Sequence, residues 1–183
     1  RGKTYDMVYI AVFAVVMAIC SWISIPATVP FTLQTFGVFL AVGVLGGKRG
    51  TLSILVYILL GAVGVPVFIG GGSGIGYLTG VFGGYTFSFI IVTIFAGLTK
   101  GKKYNRIRYT IVAILTAALI DIIGMLWWKF NGNLTWKVAF LSGFVAFIPL
   151  DLVKAIIAAQ IVPLFKKLMP EANANTVAKK EAA

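Results

Sequence analysis

Three ionisable side chains stand where the sequence is otherwise apolar: Asp121, Asp151 and Lys154. Asp151 and Lys154 are three residues apart, a spacing that puts them on one face of a helix. A charge at the centre of a membrane helix costs roughly 2.5–3.5 kcal/mol on insertion scales, so such groups persist where they pair or bind something. Two readings follow. In the structural one, Asp151, Lys154 and Asp121 simply neutralise one another. In the functional one they form the polar end of a small-molecule site facing a bundle interior, with Lys154 supplying the charge for a carboxylate. A rival use is an ion or proton relay in a stand-alone ion-coupled secondary transporter of a small carboxylate solute. The scarcity of intramembrane acids and the lack of obvious inverted repeats weigh against that rival.

Other chemistries fail on residue type or spacing. The chain has no His, which removes His-based catalytic bases, zinc sites and proton relays. With no Asp-rich metal motif and no paired carboxylates at short spacing, an enzyme has little support, and neither a metal nor a bound cofactor is expected. Cys20 is the single cysteine, cannot form an internal disulfide, and reads as a small buried hydrophobe. The run Gly70–Gly76 is glycine-dense, yet Tyr77 or Thr79 occupies the third position that a Gly-x-Gly-x-x-Gly fingerprint requires. Gly46-Gly47-Lys48 imitates the end of a phosphate-binding loop, but Val42 replaces its first glycine and Arg49 its Ser/Thr. Energy from ATP would have to come through partners.

The elements that carry these groups are membrane helices. Of 183 residues, 60% are hydrophobic and 11% charged, and the mean hydropathy is +0.99. A soluble domain with a polar surface to cover could not be this apolar. A spanning helix needs roughly 20 mostly apolar residues, so the chain has room for about six. The spans are expected at about 7–25, 31–47, 50–65, 80–98 and 109–128, with Lys48-Arg49 as a tight basic turn. The last apolar stretch, 138–165, is long for one span; Pro149 suggests a short element followed by a helix over about 149–168, with one kinked helix as the alternative. The expectation is an all-α membrane protein, a six-helix bundle in one domain over 1–169, with a polar tail over 170–183.

Sixteen Lys+Arg against five Asp+Glu give +11, but the basic residues flank apolar spans and act as topology signals in a lipid bilayer. Nucleic acid is therefore not an expected partner. A cytoplasmic N-terminus puts Lys3, Lys48, Arg49, the Lys100–Arg108 cluster, Lys166 and Lys167 inside and leaves only Lys129 and Lys137 outside. Both termini then lie in the cytoplasm, and the Pro26–Thr35 and Gly70–Gly76 loops face outward. Ala14 and Ala18 make a small-xxx-small pair, suited either to packing within the chain or to close approach by a partner helix. Gly80, Gly83 and Gly84 likewise permit close approach of a helix or a ligand.

Four runs, in order along the chain, carry a family resemblance. They are Val29-Pro30-Phe31-Thr32-Leu33-Gln34-Thr35-Phe36, Tyr57 with Leu60 through Phe68, Gly80 through Gly83-Gly84-Tyr85, and Asp151-Leu152-Val153-Lys154-Ala155. Together they resemble the BioY family, the biotin-specific substrate-binding (S) components of energy-coupling factor (ECF) importers in prokaryotic cell membranes. The resemblance implies a vitamin site under the first and third loops. It also implies three partner subunits, a transmembrane coupling subunit and two cytoplasmic ATPases. It assigns ligand contact to Asp151 and Lys154 and docking on the coupling subunit to Ala14 and Ala18. Biotin has a carboxylate tail, an apolar ring and a ureido group with two donors and one acceptor. Lys154 suits an acceptor and Asp151 the ureido N–H groups. Gln34, Thr35 and Tyr85 are candidates for further polar contacts. Phe31, Phe68, Trp127 and Trp128 are candidate apolar walls, and Gly84 a point of close backbone approach.

Overall fold

In a computed structural model, residues 2–26, 29–98 and 104–169 are described, the side chains of 2, 3 and 92–98 excepted. Four stretches among them are long and apolar enough to cross a membrane: Thr4–Trp22, Gln34–Ala62, Arg106–Asn131 and Trp136–Leu168. The tail over 170–183 lies outside the described residues.

Helix α1 spans Gly2–Trp22 and is followed by a two-residue antiparallel ladder, β1 (Ser24–Ile25) with β2 (Phe31–Thr32). Helix α2, Gln34–Ala62, is broken at Gly46, where φ is 78° and ψ 176°. Its two arms fold back on each other. A Cβ on Gly50 would lie 2.9 Å from the Val42 Cα, although eight residues of straight helix span about 12 Å. Gln34 Nε2 donates to the Tyr57 hydroxyl at 2.6 Å, a pair that a straight helix would hold about 35 Å apart. The basic turn expected at Lys48-Arg49 thus joins two antiparallel arms, with glycine at 46 supplying a left-handed φ that other residues resist.

Beyond α2 the glycine-rich segment makes a tight 3₁₀ turn at Ile69–Gly71, then α3 (Ile75–Thr79) and α4 (Gly83–Leu98). Gly70, Gly71 and Gly74 all have positive φ, so these glycines serve backbone geometry in this loop. Helix α5 runs Arg106–Asn131 and is capped by the Asn105 side chain, which accepts from Arg108 N. The last stretch is stepped. Helix α6 (Trp136–Phe140) passes through a π turn at Leu141–Val145 into α7 (Ile148–Leu168), with Pro149 in the first turn of α7 where proline is tolerated.

Polar links tie the ends of the bundle together. Arg49 pairs with Asp6 at 3.0 Å, joining the start of α1 to the turn of α2. At the other end of α1, Trp22 Nε1 donates to Pro66 O and Ser21 Oγ to Val67 O. Helices α1 and α2 approach closely, because a Cβ on Gly37 would sit 3.2 Å from the Met17 Cα. Ala14 and Ala18 belong to this inward face, packed in the chain's own core, while Val8, Val12, Val15 and Ile19 point outward. Cys20 is buried against the same contact.

Candidate functional site

The first turns of α7 carry Asp151 and Lys154 into the bundle, where both are buried. Lys154 Nζ donates to Asp151 Oδ1 at 2.8 Å and to Thr35 Oγ1 at 3.1 Å, and Thr35 Oγ1 in turn donates to the same Asp151 oxygen at 3.0 Å. Thr35 stands in the first turn of α2, so the triangle spans two elements more than a hundred residues apart in sequence. Pro149 helps define where α7 begins, and hence where this face of the helix enters the bundle.

Beside the triangle is a small, partly open cavity. Val29, Pro30 and Thr32 of the first loop and Ile69 of the third loop form part of its wall. Phe82, Tyr85 and Phe89 contribute from α4 and its approach, Ile120 and Asp121 from α5, and Phe147 from the start of α7. Gln34, Thr35 and Lys154 complete the wall. The surface is mostly apolar with a few convergent polar groups, the composition small-molecule recognition requires.

The ligand residues expected from the sequence fall into three positions. Gln34, Thr35, Tyr85 and Lys154 line the cavity. Tyr85 is anchored as it does so, its hydroxyl donating to Gly143 O at 2.8 Å and its ring lying against Gly124. Asp151 stands one layer back, its Oδ1 occupied by Lys154 and Thr35. Phe31, Gly84, Phe68, Trp127 and Trp128 are packing residues in this geometry and do not reach the cavity wall. Phe31 packs its ring on Phe147 with centroids 5.0 Å apart. Gly84 lets α4 meet α5, since a Cβ there would collide with Trp127. Phe68 is fully buried between Tyr57 and Tyr77. Trp127 donates its indole N–H to Gly80 O at 2.9 Å, and Trp128 is in the core. Outside the spanning helices, burial pushes the Tyr77 hydroxyl on α3 up to about 12, so it stays protonated at neutral pH.

Among the described residues, the aromatic wall of Phe82, Phe89 and Phe147 is what sequence reasoning missed. Nothing in their spacing separates them from other phenylalanines in apolar runs. Asp121 is different, because its charge inside a span already marked it. It is 2% exposed, it lines the cavity, and its carboxyl lies against that of Asp151.

Comparison with known proteins places this arrangement. The model of the BioY family matches residues 2–171. The chain belongs to the BioY family. The Thermotoga maritima protein named biotin transporter BioY is 39% identical over 167 residues, 91% of this chain and 98% of that one. The Lactococcus lactis subsp. cremoris protein named biotin transporter BioY2 is 38% identical over 157 residues, 85% and 86% of the two chains. Among solved structures, the S-component for biotin from an ECF-type ABC transporter superposes with a TM-score of 0.84 at 28% identity, covering 90% of this chain and 92% of that one. The mostly helical fold with four long apolar stretches is thus like that S-component fold.

Proposed function

We propose that the protein is the biotin-binding S component of an ATP-driven ECF importer, acting in binding and transport rather than catalysis. The observation that carries the proposal is the buried Lys154–Asp151–Thr35 triangle at the polar end of an apolar cavity, in a member of a family whose relatives are named biotin transporters. Lys154 faces the cavity and offers charge-assisted donation to a ligand acceptor. Asp151 and Thr35 fix where its ammonium sits. Gln34 and Tyr85 extend the polar contacts, and the aromatic wall takes the apolar ring.

In this reading the chain makes six crossings of a prokaryotic cell membrane with both termini in the cytoplasm, the two arms of α2 counting as two. The Arg49–Asp6 link supports it by setting the basic turn and the start of α1 at one end of the bundle. The loop residues Val29, Pro30 and Ile69 gather over the cavity, at the end where Trp22 meets Pro66. Biotin is captured from outside under the two loops. A transmembrane coupling subunit driven by two cytoplasmic ATPases then reorients or opens the site inward. Ala14 and Ala18, packed within the bundle, would meet that subunit only through a rearrangement of α1.

The test is a titration of detergent-purified protein with biotin beside thiamine and riboflavin. Selective binding of biotin at about one per chain is the expected result. Binding of none of the three would end the assignment.

A further inference from the structure

A line of buried polar groups runs from the cavity wall to the third loop. Gln34, on the first arm of α2, lines the cavity. Its Nε2 donates to the hydroxyl of Tyr57 on the second arm at 2.6 Å. Tyr57 in turn meets the hydroxyl of Ser21 near the end of α1, and Ser21 Oγ donates to Val67 O at 2.5 Å. Tyr57 and Ser21 are fully buried and stand off the cavity wall. The far end of the line is held in place. Trp22 donates to the carbonyl of Pro66, and the buried Phe68 ring packs edge-on against Tyr57.

That end sets the direction of every bond in the line. Backbone carbonyls accept and never donate, and a serine hydroxyl has a single proton to give. Two carbonyls compete for the proton of Ser21, Val67 O and Ala18 O, the latter at 2.7 Å. Toward Tyr57, Ser21 is therefore an acceptor. Tyr57 also has one proton, and with that proton on Ser21 its oxygen is left to accept from Gln34. The Gln34 amide is thereby turned with its nitrogen on Tyr57 and its carbonyl on the other branch.

Resting on the biotin reading above, we infer that Tyr57 is a positioning residue: backed by Ser21 and the Val67 carbonyl, it fixes the Gln34 amide so that Oε1 is offered to the ligand as an acceptor. An unrestrained glutamine presents either end of its amide, whereas one ordered in this way accepts a ligand donor and refuses a ligand oxygen. Ordering the side chain before binding also removes part of the entropy cost of immobilising it. Biotin carries N–H donors only in its ureido ring, so the chemistry names the group that Gln34 receives.

A double-mutant cycle on biotin affinity tests the role. Tyr57→Phe keeps the ring and removes the hydroxyl, and binding is expected to weaken about 2–10-fold. In a Gln34→Ala background the same substitution should cost nothing further, because no amide is left to order. This dependence separates ordering from packing, since a role in packing alone would lower affinity in both backgrounds. A loss from Tyr57→Phe that persists at full size without Gln34 would overturn the inference, as would unchanged affinity with Gln34 in place. A structure of wild type bound to biotin decides the matter where a variant does not fold. A ureido nitrogen within about 3.2 Å of the Gln34 amide supports the role, and a ligand oxygen there, or no polar ligand atom, overturns it. Failure of wild type to bind biotin would instead count against the parent assignment.

Discussion

Among the described residues, two Lys/Arg–Asp pairs of nearly equal length lie in very different surroundings. Arg49 and Asp6 meet at 3.0 Å with side chains 17% and 29% exposed; Lys154 and Asp151 meet at 2.8 Å with side chains 9% and 3% exposed. At a partly wetted edge, a pair gains modest Coulomb energy in a high dielectric and typically contributes about 0–1 kcal/mol. In the interior, desolvation of both partners offsets much of their attraction, and a pair of apolar residues would often serve stability as well. Distance alone does not separate the two. Burial does, and it identifies the inner pair as one whose presence stability does not explain. The outer pair ties α1 to the turn of α2, while in the inner one Lys154 faces the cavity.

That contrast can be broken at several points. The largest effect is expected from Asp151→Ala, which removes the carboxylate bonded to a buried ammonium and should lower stability by about 3–5 kcal/mol. Thermal unfolding in detergent would read it as a large drop in Tm. Thr35→Val comes next. It removes the hydroxyl that bridges Asp151 and Lys154, and biotin affinity is expected to fall about 2–10-fold. The smallest effect belongs to Arg49→Ala, worth about 1 kcal/mol or less and fading as salt is raised. A large and salt-insensitive loss there would show that the edge pair behaves as a buried one, and the contrast would fail.

The sequence made the division into apolar spans legible, because hydropathy and basic turns follow directly from the bilayer. The fold-back at Lys48-Arg49 was readable for the same reason, and the break before Pro149 from proline's place in the first turn of a helix. Rotation of each helix was not. Lipid tails are as apolar as leucine, so the inner and outer faces of α1 do not differ in hydrophobicity. The spacing of Ala14 and Ala18 defined a common face without saying what it meets, and the structure turns it inward. Gly84 followed the same logic, announcing close approach that proves to be with Trp127. The ladder between Ser24–Ile25 and Phe31–Thr32 is two residues per strand, too short for an alternating pattern to register. At the site, Asp151 and Lys154 were found by charge and spacing. The depth order that puts Asp121 on the wall and Asp151 behind it depends on helix rotation, so only coordinates supply it.

The most direct test of the central claim is to titrate wild type, Lys154→Ala and Arg49→Ala with biotin side by side. The account predicts a loss of at least about 10–100-fold for Lys154→Ala and near-wild-type affinity for Arg49→Ala. Unchanged affinity in Lys154→Ala would contradict it, leaving the inner pair without the functional role assigned to it.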